Sequence, residues 1–194
     1  VLFAHGSGSG RLSPRNARVA AALRIAGLGT VLADLLTEDE SRSRRNVFDI
    51  PLLADRLLAV TRWATAIHPD LPIGYFGAST GAAAALLAAP EAGSQLRAIV
   101  SRGGRPDLAA EVLSQVRVPT LLIVGARDTT VLELNRGAYR RMTCERRLVV
   151  IPGAGHLFEE GDTLDEVARH ARNWFLNYLA YVPCWHLAPR RTPG

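Results

Sequence analysis

The first place where chemistry is legible in this sequence is Gly77-Ala78-Ser79-Thr80-Gly81, a serine with a glycine two positions away on either side. This is the G-x-S-x-G spacing of a nucleophile elbow, in which a serine sits on a strained strand-to-helix turn with its hydroxyl exposed. A serine hydroxyl is a weak nucleophile at neutral pH. It needs an imidazole to remove its proton and a carboxylate to hold that imidazole in the right tautomer. Asp128, in Gly125-Ala126-Arg127-Asp128, and His156, in Gly153-Ala154-Gly155-His156, supply those two types. Taken singly, each has a plain alternative: a glycine turn, an aspartate capping the next helix, a loop histidine bonded to backbone. Jointly they point to acyl transfer through a Ser-His-Asp arrangement.

The elements needed to position these residues can be read along the chain. Six short apolar runs, at 1–4, 30–34, 73–76, 98–101, 120–124 and 148–151, alternate with longer amphipathic stretches, which predicts an α/β fold. The expected architecture is a mainly parallel, twisted sheet of about six strands flanked by helices on both faces. Ser13, Pro14 and Gly27 predict a helix over about 14–26. Asp49 and Pro51 open another that His68-Pro69 ends. Further helices are expected after Thr80, Asp107 and Val131, and from Thr163 to about residue 181. Residues 37–46 read as an exposed loop. Ser79, Asp128 and His156 then each follow a parallel strand, so all three open on the sheet edge where such folds place ligands.

Two more loops meet that edge. His5-Gly6-Ser7-Gly8-Ser9-Gly10 follows the first strand; it has neither the lysine of a G-x-x-x-x-G-K-[ST] phosphate loop nor G-x-G-x-x-G spacing. Ser101-Arg102-Gly103-Gly104-Arg105-Pro106 follows the fourth, and Arg102 and Arg105 present two guanidinium forks to a substrate carboxylate or phosphate. The bland reading of the pair is solvated surface, or an arginine bracing the turn through Asp107.

Composition narrows the function classes. The chain has 194 residues, 48% hydrophobic and 21% charged, which suits one domain, here 1–181, followed by a patternless tail at 182–194. The 23 basic residues are all arginine, spread along the chain without interleaved aromatics, so the net charge of +5 does not predict nucleic-acid binding. The apolar run at 81–89 is too short to span a bilayer, and the first residues lack the pattern of a signal peptide. Cys144 and Cys184 form no framework, and no H-E-x-x-H spacing exists, so a cytoplasmic, metal-free and cofactor-free protein is expected.

On these motifs the chain resembles the α/β-hydrolase superfamily, within it the small dienelactone-hydrolase-like branch, over about residues 1–179. The resemblance implies a Ser79, Asp128, His156 triad in that chain order. It also implies an oxyanion hole made by the backbone N–H of Thr80 and one from the first loop, Ser7, with Gly6 and Gly8 as neighbouring alternatives. His5 reads as a structural hydrogen-bonding residue. The implied activity is hydrolysis of a small ester or thioester through an acyl-enzyme. Acyl transfer to another acceptor, or a non-catalytic module of the same fold, are the alternatives. Dienelactone hydrolases carry a cysteine where this chain has Ser79 and an acidic residue where it has His5-Gly6. The superfamily's opening antiparallel strand pair is lacking, and similar domains occur fused behind phosphoribosyltransferase domains, so this chain reads as the C-terminal half of a larger one.

Overall fold

In a computed structural model describing residues 1–179, six strands build a single sheet: β1 (Leu2–Ala4), β2 (Val31–Leu32), β3 (Ile73–Ala78), β4 (Leu96–Arg102), β5 (Thr120–Gly125) and β6 (Arg146–Ile151). Every pairing is parallel, in the order β2-β1-β3-β4-β5-β6. The period of two decides which face each side chain enters. Tyr75 joins a core with Leu53 and Leu57 from α4 (Ile50–Ile67) and Ala84 from α5 (Thr80–Ala88). The next residue, Phe76, joins the opposite core with Val19 and Leu23 from α1 (Pro14–Ile25) and Phe175 from α7 (Thr163–Tyr178). A strand buried on both sides must be apolar at every position, and that is why the predicted strands read as continuous runs.

The helices start where local chemistry favours them. Ser13 Oγ accepts the Asn16 N–H ahead of α1, with Pro14 in the first turn, and Gly27 takes the left-handed turn beyond its end at φ +85°. Asp49 accepts the Leu52 N–H at 3.0 Å to open α4. One-turn helices α2 (Glu38–Ser41) and α3 (Arg44–Val47) replace the loop expected at 37–46. Their signal is a capping box, with Thr37 Oγ1 accepting the Glu40 N–H and the Glu40 carboxylate accepting the Thr37 N–H, too short to show a period.

Three other expectations change. The strand expected at 30–34 shrinks to Val31–Leu32, because the chain turns away so that Asp34 can take both the backbone N–H and the guanidinium of Arg11. The helix expected after Asp107 is a 3-10 stretch, Pro106–Val112, broken at Ala109, whose methyl is buried in the core. The helix expected after Val131 begins earlier, as α6 (Thr129–Arg141). Among the described residues no helix is long and apolar enough to cross a membrane. The expected tail at 182–194 and Cys184 lie outside the described residues.

The strand order reverses between β1 and β3: the chain runs outward from β1 to β2, then returns to lay β3 on β1's other side. A crevice opens at such a reversal, beyond the C-terminal ends of the strands. The glycine-rich loop after β1 and the turn after β3 flank it.

Candidate active site

Ser79 occupies the turn between β3 and α5 with φ 50° and ψ −117°, a left-handed conformation costing about 1–3 kcal/mol in a non-glycine residue. Its flanking glycines make the turn possible. A Cβ at Gly77 would lie 2.4 Å from Ala82 Cα, and one at Gly81 only 2.1 Å from the Ala4 carbonyl oxygen, so α5 can leave the sheet tightly only without side chains there. The β4 loop clasps the turn: Ser79 N–H donates to the Arg102 carbonyl, and the Ser79 carbonyl accepts the Arg105 N–H, both at 3.2 Å. Among the described residues Ser79 Oγ has no hydrogen-bond partner.

Asp128 stands immediately before α6, yet its carboxylate makes no capping bond to that helix. It accepts instead the Nδ1–H of His156 at 2.6 Å, with the aspartate side chain 14% exposed and the histidine 39%. A carboxylate on Nδ1 fixes the tautomer and leaves Nε2 with its lone pair. The two loops touch directly. Arg127 N–H donates to the Ala154 carbonyl at 2.9 Å, and a Cβ at Gly125 would lie 2.4 Å from that same oxygen. Glu160 holds the histidine loop from beyond, both carboxylate oxygens accepting Gly155 N–H at 3.0 and 3.1 Å, which lowers its pKa below the usual range. Phe158 is buried there in a left-handed conformation, φ 56°.

Gly103 connects the serine side to the histidine side. It follows Arg102, adopts φ +51°, and a Cβ built on it would lie 3.5 Å from His156 Nδ1 and 3.2 Å from the histidine carbonyl oxygen. The imidazole therefore rests against the loop that grips the Ser79 backbone.

The first loop reaches the elbow through Gly6, where an added Cβ would lie 2.9 Å from the Ala78 carbonyl oxygen and 3.1 Å from Ser79 Cβ. His5 is buried beneath it. Leu35 N–H donates to His5 Nε2 at 2.9 Å, and since an amide only donates, Nδ1 carries the proton and donates to the Gly6 carbonyl at 3.1 Å. Ser9 N–H donates to the same carbonyl. With that oxygen turned toward His5 and Ser9, the trans peptide directs the Ser7 N–H the opposite way. A cleft of about 510 Å³ is lined by Ser7 and Thr80 together with Leu36, Val47, Leu53 and Arg15.

The two arginines expected to act as a pair part company. Arg105 forms a two-pronged ion pair with Asp107 at 2.7 and 2.9 Å, which raises its pKa and braces the turn. Arg102 is the last residue of β4, buried at 7% exposure. Sequence reasoning also passed over Gly103 and Glu160. The positive φ of the first had no local sign beyond its being glycine, and the bond of the second depends on a loop conformation.

No family model matches the chain. A solved structure of dienelactone hydrolase from Anabaena variabilis superposes with a TM-score of 0.89 at 53% identity, covering 92% of this chain and 85% of that one. The chain belongs to the dienelactone hydrolase family of α/β hydrolases. Est1E from Butyrivibrio proteoclasticus, at 17% identity and a TM-score of 0.79, shares the family's fold over 93% of this chain and 88% of its own. Two Mycobacterium tuberculosis proteins, each named "Putative phosphoribosyl transferase", are 58% identical over 182 residues. This dienelactone hydrolase family chain spans 41% of their length.

Proposed function

We propose that this chain is a cofactor-free serine hydrolase that cleaves a small ester or thioester through an acyl-enzyme. The observation that carries the reading is the Asp128 carboxylate, turned from the helix it precedes onto His156 Nδ1 at 2.6 Å. An aspartate in that place serves helix stability by capping; given to the histidine, it serves chemistry.

In the mechanism, His156 Nε2 takes the Ser79 Oγ proton as the oxygen attacks the ester carbonyl. The Oγ–C bond forms and the carbonyl electrons move to oxygen. Ser7 and Thr80 N–H groups receive that oxyanion, Thr80 from the first turn of α5, where unpaired amides and the helix dipole favour negative charge. Asp128 stabilises the imidazolium, which returns its proton to the departing alkoxide or thiolate. The carbonyl re-forms as the bond to that leaving group breaks. Water, deprotonated by the same histidine, then attacks the acyl carbon, the acyl–Oγ bond breaks to release the acid, and the histidine returns its proton to Ser79 Oγ. Contact between Ser79 Oγ and the imidazole closes as substrate seats, as such bonds often do. The name of the longer relatives is taken to describe the part of them that this chain does not match, this domain supplying a hydrolase in a larger protein.

The test is labelling with a fluorophosphonate and turnover of p-nitrophenyl acetate. The wild-type protein is expected to label on Ser79 and to turn over. S79A is expected to lose both, keeping at most the ~10³–10⁴ over water that an oxyanion hole and binding provide. Wild-type turnover by S79A would sink the assignment.

A further inference from the structure

Asn135 lies in the middle of α6, about two turns beyond Asp128, and is fully buried. Its side-chain amide donates to the Val131 carbonyl at 2.8 Å and to the Gly104 carbonyl at 2.9 Å. Carbonyls only accept, so the nitrogen must be the atom that faces both, and both amide hydrogens are used. Asn135 Oδ1 is left buried with no donor. A buried amide that bonds its own helix and leaves its oxygen unpaired contributes little to stability. Among the described residues, the hydrogen bond its side chain makes outside α6 is the one to Gly104.

The Gly104 carbonyl belongs to the same peptide unit as the Arg105 N–H. In a trans peptide these two groups point opposite ways. Asn135 therefore holds one side of this plane, while on the other side Arg105 N–H donates to the Ser79 carbonyl at 3.2 Å. The Ser79 carbonyl in turn shares its peptide with the Thr80 N–H, which as the first residue of α5 has no acceptor within the helix. Two planar units thus join the Asn135 amide to the Thr80 N–H, each entered at its carbonyl and left at its N–H. Aligned bonds of this kind polarise one another. Ser79 carbonyl also accepts the Ala82 N–H at 3.1 Å from within α5, so Arg105 supplies the hold from outside the helix. The bridging peptide is closely confined: a Cβ at Gly104 would lie 2.0 Å from Ser101 Oγ and 2.7 Å from Ala82 Cβ.

We propose that Asn135 is a positioning residue that sets the direction of the Thr80 N–H through the Gly104–Arg105 and Ser79–Thr80 peptides. It acts on the oxyanion hole without touching substrate or triad. The inference rests on the hydrolase reading, and it makes the helix that follows Asp128 a support for the oxyanion donor as well.

Losing this hold removes stabilisation of charge that appears only in the transition state, so kcat falls and KM does not. N135A and N135L both lack the donor, the first leaving space and the second filling it. On p-nitrophenyl acetate each is expected to lower kcat by about 10- to 100-fold, less than outright deletion of an oxyanion donor, with KM within about threefold. Trifluoroacetone carries the test to the oxyanion itself. Ser79 Oγ adds to its carbonyl carbon, the Oγ proton passes to His156, and the carbonyl oxygen becomes the anion that Ser7 and Thr80 receive. Its Ki should weaken by the same factor as kcat/KM, which a change in packing alone does not require. T61V is the control, since Thr61 is likewise buried, in α4, and bonded to the Leu57 carbonyl and the Tyr75 hydroxyl. It should lower Tm and leave kcat and Ki unchanged. An undiminished kcat in both Asn135 variants, an effect confined to KM, or a kcat loss with unaltered Ki would overturn the proposal. If the wild type turns over no ester, the hydrolase reading fails separately, and the positioning is read from amide resonances. A shifted Thr80 N–H in N135L then supports it, and an unmoved one overturns it. Should neither Asn135 variant fold, hydrogen exchange of the Arg105 N–H in the wild type decides. Protection at the level of the β4 amides supports the hold, and exchange at the rate of an exposed loop overturns it.

Discussion

His5 Nε2 accepts the Leu35 backbone N–H, and this single bond dictates that the ring's other nitrogen is the donor that holds the Gly6 carbonyl. On the proposed hydrolase reading, His5 serves to position Ser7 rather than as a base. H5L should lower kcat by about 10²-fold, the scale of a lost oxyanion donor, with KM changed little. Steady-state kinetics on a p-nitrophenyl ester check this; an undiminished kcat would remove His5 from the account.

Asp128 separates a catalytic from a capping role. D128N should lower kcat by a factor approaching about 10⁴, as the equivalent change does in serine proteases, and leave Tm nearly unchanged because α6 never had the cap. The reverse pattern, full turnover with about 1 kcal/mol lost from stability, would make it a structural turn residue.

Gly103 is constrained twice, by φ +51° and by the imidazole beside it. G103A should cost about 1–2 kcal/mol from the backbone alone and also reduce kcat by displacing His156. Gly27 is the matched comparison, with φ +85° and nothing within 4 Å of an added Cβ, so G27A should lose stability and keep activity. Thermal unfolding and kinetics on both variants distinguish the two effects.

Glu160 should confer a pH-dependent stability. Its folded pKa is lowered, chiefly by the Gly155 N–H, so the unfolded state binds the proton more readily and the contribution is full above the unfolded value. The Tm difference between wild type and E160Q should be constant from about pH 7 to about pH 5, then close as pH falls through the carboxylate range. A gap that persisted at about pH 2 would mean that charge on Glu160 is not what holds the loop.

The sequence by itself determined the layer order and the triad candidates, because both rest on local rules. Residues buried on two faces must be continuously apolar, as 73–76 and 120–124 are. A turn that must bring Ser79 to φ 50° between a strand and a helix leaves the mark of Gly77 and Gly81. Chain order did the rest, since parallel strands send successive loops to one edge. Tertiary structure alone decided which charges meet. Arg102 and Arg105 are three residues apart yet diverge, one turned into the interior beside Asn16 and Phe158, the other clasped by Asp107. Arg15 and Arg102, 87 positions apart, become neighbours because α1 packs on the face of the sheet where β4 ends. Long side chains have many rotamers of nearly equal energy wherever they stand, and only the surroundings assembled by folding choose among them.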